Sequence, residues 1–187
     1  MTTVHHDIIL IVDDDAADIE FTRRVIEEKA SNVRLMTAKN GEEALNLLFG
    51  KGSIPMHDTT DSPPLTERAN TGKFWIPKKQ KSLDLDSLRA ILLDIHMPGI
   101  DGFDVLRIVK SHDMTKHVPV IILTSSQEVK DVRQCYALGA NSYIVKPISA
   151  ERYEHAVQKI AEYWLNTNEQ AASSIDIHVT DNLRQFS

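Results

Sequence analysis

Four short apolar runs constrain this chain more than any other feature. Ile8-Ile9-Leu10-Ile11-Val12 ends in Asp13-Asp14-Asp15, and Ile91-Leu92-Leu93 ends in Asp94. Val120-Ile121-Ile122-Leu123 ends in Thr124, and Tyr143-Ile144-Val145 ends in Lys146-Pro147. Runs this short and this rich in branched residues read as strands buried on both faces of a parallel sheet. The carboxyl ends of such strands converge on one crevice. Three carboxylates, a hydroxyl and an ammonium are thereby delivered to one place, a combination able to hold a divalent metal and a phosphoryl group together.

The segments between these runs complete an alternation of strand and helix. Residues 16–30 carry Ile19, Val25 and Ile26 among charges, the pattern of a surface helix. Residues 33–37 form a short second strand, and residues 41–49 a second helix, with Asn40 as its cap and Glu43 three residues on. Strand three is read at 90–94, helix three at 102–112 with Phe103, Leu106, Ile108 and Val109 facing the core, and strand four at 119–123. Helix four is read at about 128–138, strand five at 142–145, and the last helix from Ser149 to about Asn166. Five strands and five helices in strict alternation, joined by right-handed crossovers, predict an α/β fold. It is a doubly wound (βα)5 three-layer sandwich, flavodoxin-like, with parallel sheet order 2-1-3-4-5.

Residues 50–87 break the rhythm. They hold four of the seven prolines, Pro55, Pro63, Pro64 and Pro77, and more lysine and arginine than acid. The segment reads as an insertion, with Phe74 and Trp75 pinning its later part to the body. The chain is therefore divided into a domain at 1–166, including the insertion, and a tail at 167–187. The alternating Ile175-Asp176-Ile177-His178-Val179-Thr180 leaves the tail open as an interaction arm or as disorder.

Composition narrows the class. A net charge of -6 and 6% aromatic residues argue against a non-specific nucleic-acid binder or a stacking platform for single strands. Cys135 is the only cysteine, so neither an internal disulfide nor a thiolate metal cluster can form. No apolar run has the length of a membrane span, and no signal-peptide pattern precedes strand one. The expectation is a cytoplasmic protein that contacts neither nucleic acid nor membrane directly.

Within the crevice, Asp13 and Asp14 are candidate metal ligands, and Asp15 faces out or caps the first helix. The plainer reading is that all three cap that helix. Asp94 is a candidate nucleophile towards phosphorus, a metal ligand, or both. Asp101 is the better cap for helix three, which leaves Asp94 free for chemistry. His96 is more apt to offer its backbone carbonyl than its ring. Thr124 can donate to a phosphoryl oxygen, whereas Ser126 reads as a helix cap. Lys146, aimed inward by a rigid turn at Pro147 that is open to either peptide isomer, can pair with a carboxylate at rest and with a phosphoryl oxygen afterwards. Tyr143 is either half-buried and mobile or a fixed core tyrosine. The histidines show no zinc spacing, and no glycine-rich nucleotide loop is present.

These pieces resemble the receiver domain of two-component response regulators. The matching motifs are Ile9-Leu10-Ile11-Val12-Asp13-Asp14-Asp15, Leu92-Leu93-Asp94-Ile95-His96-Met97-Pro98-Gly99-Ile100-Asp101-Gly102, Ile122-Leu123-Thr124-Ser125-Ser126, and Gly139-Ala140-Asn141-Ser142-Tyr143-Ile144-Val145-Lys146-Pro147. The resemblance covers about residues 6–165. It implies that a sensor histidine kinase or phosphotransfer protein phosphorylates Asp94. Magnesium, with manganese as a substitute, would be held by Asp13, Asp14, Asp94 and the carbonyl of His96. Thr124 and Tyr143 would form a switch pair, and Lys146 would contact the phosphoryl group. The chain would take phosphoryl groups from donors and slowly lose them, without conventional turnover. Single-domain receivers of the bacterial-phytochrome type carry a shorter extension where residues 50–87 stand, and nothing after residue 166 is long enough for an output domain.

Further expectations concern lifetime and signalling. His96 and Ser126 beside the pocket would govern water access to the acyl phosphate. A homodimer is expected through the face of helix four, strand five and helix five, with Val129, Val132, Tyr136, Tyr153 and Trp164 as candidates. Two rival readings stand beside this one. A haloacid-dehalogenase-type phosphohydrolase needs Asp-x-Asp, where this chain has Asp94-Ile95-His96. A non-phosphorylated binding module or scaffold would use the fold alone.

Overall fold

The computed structural model describes residues 7–30, 32–51 and 83–169. The middle of the insertion, including Phe74 and Trp75, and the alternating segment of the tail lie outside the described residues.

Five strands make one parallel sheet: β1 (Asp7–Val12), β2 (Val33–Ala38), β3 (Leu88–Leu93), β4 (Val120–Thr124) and β5 (Ser142–Val145). Their order is β2-β1-β3-β4-β5, as the alternation predicted. Among the described residues five helices connect and follow them: α1 (Ala16–Lys29), α2 (Gly41–Phe49), α3 (Gly102–Ser111), α4 (Val129–Ala137) and α5 (Ala150–Ala161). A 3-10 turn at Leu85–Ser87 leads into β3, and a π-helical turn at Glu162–Thr167 extends α5.

The period of two in a strand decides the layers. Ile8, Leu10 and Val12 face one side with Leu45, Leu48, Leu106 and Val109 of α2 and α3, and Cys135 of α4 joins them. Ile9 and Ile11 face the other side with Val25 and Ile26 of α1 and Val157 and Ile160 of α5. Each fully buried Leu or Ile contributes about 1.5–3 kcal/mol, so both helical layers are held mainly by apolar burial. The second layer also carries a polar tie: Thr22 Oγ1 of α1 and Tyr153 Oη of α5 share a 3.0 Å hydrogen bond, and Tyr153 stacks on Phe21.

Helix starts follow the expected chemistry. Asp15 caps α1, accepting from the Ala17 and Asp18 amides. Asn40 caps α2 by accepting from Glu43 N–H at 2.8 Å. Glu43 reaches back to the Lys39 amide, one residue before the cap. Asp101 caps α3 through Asp104 N–H at 2.9 Å.

Register brings the site together. Val12 pairs with Leu93, so Asp13 and Asp94 emerge side by side. Thr124 pairs with Val145, and Lys146 N–H donates to the Thr124 carbonyl at 2.7 Å. No cis peptide bond occurs among the described residues, so the turn at Lys146-Pro147 is trans.

Candidate functional site

The crevice at the carboxyl ends of β1, β3, β4 and β5 holds the charged residues that end the apolar runs. Carboxylate oxygens of Asp13, Asp14 and Asp94 lie within 4.8 Å of one another. Asp13 and Asp94 are buried while Asp14 is exposed, so the cluster opens to solvent on one side. Buried like charges this close are unfavourable unless a cation or hydrogen bonds offset them.

Lys146 supplies much of that offset. Its Nζ donates to Asp13 Oδ2 at 2.6 Å, to Asp18 Oδ2 at 2.7 Å and to Asp94 Oδ2 at 3.2 Å. Burial pulls the ammonium towards its neutral form. The bonds to Asp13 and Asp18 and the charges of Asp94 and Asp13 outweigh it, and its pKa stands above the usual lysine range. Burial pushes the Asp13 carboxyl up to about 6; Lys146 and the Asp15 amide pull against that rise, and the Asp94 charge adds to it. One ammonium shared by three carboxylates does not fully offset the burial of Asp13.

The remaining oxygens are also engaged. Asp13 Oδ1 accepts from Asp15 N–H at 3.0 Å, and Asp94 Oδ1 accepts from His96 N–H at 3.3 Å. The loop that carries Asp94 is shaped by glycine. Gly99 has φ +79, a left-handed conformation. At Gly102 an added Cβ would collide with the Asp94 carbonyl oxygen and would stand 2.5 Å from Ile95 Cα. The start of α3 therefore lies directly against the backbone that presents Asp94.

Thr124 is fully buried at the end of β4, and its Oγ1 accepts from Ser126 N–H at 3.3 Å. Tyr143 is half-buried beside the core, and its hydroxyl donates to the Ser126 carbonyl at 3.1 Å. Burial raises the phenol pKa, which keeps it a donor. Ser126 does accept from Glu128 N–H at the start of α4, but its shorter bond, 2.6 Å, is to Asp131 Oδ2.

Two carboxylates at this site escaped the sequence reading. Asp18 lies in the first turn of α1 and Asp131 in the first turn of α4. The signal available was position: each is three residues past its N-cap, on the turn of helix that abuts the sheet end. Conversely, Tyr153 and Trp164 do not belong to an exposed face. Both pack in the layer of α1 and α5, Tyr153 buried within it.

The donors in the acidic cluster are all hard carboxylate oxygens, which suits magnesium or manganese and not a soft metal. Among the described residues no helix is long and apolar enough to cross a membrane.

Comparison with known proteins adds the following. A family model for the response regulator receiver domain matches residues 78–158. The chain is 30% identical over 161 residues to "Probable methanogenesis regulatory protein FilR2" of Methanothrix harundinacea, covering 86% of this chain and 85% of that one. Its structure is similar to that of the phosphorylated cyanobacterial phytochrome response regulator RcpA, with TM-score 0.68, 25% identity, and 88% of this chain and 98% of that chain covered. It is also similar to the Mn(2+)-bound form of response regulator Rcp1, with TM-score 0.67, 27% identity, and 89% and 99% covered.

Proposed function

From the premise that this chain belongs to the receiver-domain family of two-component response regulators, we propose that it is a phosphoacceptor switch working through Asp94. The observation that carries this reading is the sharing of Lys146 Nζ among Asp13, Asp18 and Asp94 in a buried crevice. An ammonium held at rest by carboxylates is already beside the oxygen that would receive a phosphoryl group.

Asp94 attacks the phosphorus of a phosphohistidine; a bond from its carboxylate oxygen to phosphorus forms as the bond to nitrogen breaks. Asp13, Asp14, Asp94 and the His96 carbonyl would hold magnesium, or manganese in its place, which would neutralise charge on the transferring group. The chain's own residues do the rest. Lys146 exchanges a carboxylate partner for a phosphoryl oxygen, and the Thr124 hydroxyl donates to another. Thr124 gives up its place beside Ser126, Tyr143 moves towards the vacated space, and the face of α4, β5 and α5 changes shape. His96 and Ser126 govern how readily water reaches the acyl phosphate.

The donor is a sensor histidine kinase or phosphotransfer protein, and the likeness to RcpA favours a kinase of the phytochrome type. The receiver unit is assigned to residues 1–166, with 50–87 as its insertion.

The test is intact mass after incubation with magnesium and acetyl phosphate. The native chain gains one phosphoryl group, and Asp94→Asn gains none. A folded native chain that takes no phosphoryl group from acetyl phosphate or from a cognate-type kinase would leave the scaffold reading.

A further inference from the structure

Asp131 ties the two loops of the pocket to each other and to α4. Its carboxylate is buried in the first turn of that helix, with a side-chain exposure of 6%. Oδ2 accepts from Ser126 Oγ at 2.6 Å and pairs with His96 Nε2 at 3.1 Å. An ionised carboxylate only accepts, so the shared hydrogen lies on Nε2.

The two donors occupy equivalent places. His96 stands two residues after Asp94, and its backbone N–H donates to Asp94 Oδ1. Ser126 stands two residues after Thr124, and its backbone N–H donates to Thr124 Oγ1. Each has its amide on the reacting side of the pocket and its side chain on Asp131. The His96 ring thus bridges from the β3–α3 loop to α4, fixed at its backbone and at Nε2, while its outer surface remains 59% exposed. A buried carboxylate is costly unless its charge is matched by donors, and here both bonds engage one oxygen.

We propose that Asp131 is a positioning residue that latches the His96 ring and the Ser126 hydroxyl across the mouth of the pocket and so slows hydrolysis of the acyl phosphate. This inference rests on the phosphoacceptor reading of Asp94. In hydrolysis a water oxygen bonds to phosphorus as the bond from phosphorus to the Asp94 oxygen breaks. Asp94 leaves as a carboxylate, and a water proton departs with the inorganic phosphate or to solvent. The attacking water must approach on the side opposite Asp94, through the open mouth. A ring held at two points narrows that path, and a ring held only by its backbone does not.

The same latch links chemistry to shape. Tyr143 donates to the carbonyl of Ser126. Any shift of the β4–α4 loop towards a phosphoryl group therefore pulls on Asp131, on α4 and on Tyr143 together.

The experiment phosphorylates the native chain, Asp131→Ala, Asp131→Asn, His96→Ala and the His96→Ala/Asp131→Ala double variant with acetyl phosphate and magnesium. The donor is then removed, and phosphoryl loss is followed by intact mass. Asp131→Ala loses its phosphoryl group roughly tenfold faster, the weight of one hydrogen bond to a charged group. Asp131→Asn, which keeps its size and one acceptor oxygen, falls between. The double variant falls well short of the combined single effects, because part of what Asp131 does passes through the ring. Native-like loss in both Asp131 variants, or additive acceleration in the double variant, overturns the proposal.

Nitrogen NMR of the His96 ring reads the latch without phosphorylation. The native chain shows the Nε2–H tautomer, and Asp131→Ala shows a mixture. Unchanged ring signals overturn the latch even if Asp94 is phosphorylated. Failure of the native chain to take a phosphoryl group, with the tautomer shift present, overturns the reading of Asp94 and leaves the geometry of the latch standing.

Discussion

Asp13 shows how burial of a single carboxyl can weaken a fold. Burial raises its pKa to about 6 against an ordinary 3.8. The folded chain therefore keeps a proton between about pH 4 and pH 6 that the unfolded chain has released. Stability falls as pH rises through that window and stays lower above it. Lys146 offsets this only in part, because it also serves Asp18 and Asp94. At pH 7 without magnesium, Asp13→Asn is expected to stabilise the protein by about 1–2 kcal/mol, since a neutral amide avoids the cost of burying the charge while Lys146 keeps Asp18 and Asp94. Magnesium should stabilise the native chain by mass action and should do little for the variant. With Asp13 as a ligand, as proposed, its affinity should weaken as pH drops through 6, where Asp13 takes up a proton. Thermal denaturation at pH 5 and pH 8, with and without magnesium, checks all three. A variant less stable than the native chain at pH 7 without magnesium would refute the argument.

At the scale of elements, the β3–α3 loop and the first residue of α3 carry the demand for accuracy, and Gly99 and Gly102 meet it differently. Gly99 has φ +79 and open space around it, so alanine there meets conformational strain alone, about 1 kcal/mol. Gly102 has no such backbone, but its added Cβ would meet the Asp94 carbonyl and Ile95 Cα, both main-chain atoms that cannot swing away. Gly102→Ala should cost about 1–3 kcal/mol by overpacking. It should also slow phosphoryl uptake at Asp94, whereas Gly99→Ala should leave uptake near native. Urea midpoints and uptake rates for the two variants separate the mechanisms, and equal loss of uptake in both would contradict them. Elements of this kind were legible in the sequence to different depths. The buried strands announced themselves by branched runs, and the caps Asn40 and Asp101 by residue type and place. Asp94, Thr124 and Lys146 were legible because they end those runs. Asp18 and Asp131 were not, because a first-turn acid on a helix reads the same whether it faces solvent or the sheet end. Direction around a helix of known residues is set by packing, as it is for Tyr153 and Trp164, whose apolar bodies turned towards α1 and not outward.

For the whole molecule the question is how a change at Asp94 leaves the domain. Three apolar side chains stand out on and beside the face of α4, β5 and α5: Val129 at 64% exposure, Tyr136 at 52%, and Ile148 fully exposed. All three lie on segments coupled to the pocket, Val129 and Tyr136 through α4, which carries Asp131, and Ile148 two residues past Lys146. We propose that this face joins two copies when Asp94 is phosphorylated. A modest patch needs about 800 Å² per partner to hold a stable dimer, so the resting chain is expected to be monomeric at micromolar concentration. Moving a two-state equilibrium almost completely takes about 5.5 kcal/mol of differential interaction, which charge-assisted bonds from Lys146 and Thr124 to a phosphoryl group can supply in large part. Magnesium with beryllium fluoride, a mimic of the acyl phosphate, should raise the mass seen by sedimentation velocity towards that of two chains. Val129→Glu with Tyr136→Glu should abolish that rise while leaving beryllium fluoride binding intact, because both side chains stand exposed on α4. A mass that stays at one chain across concentration, with the mimic bound, would reject the dimer.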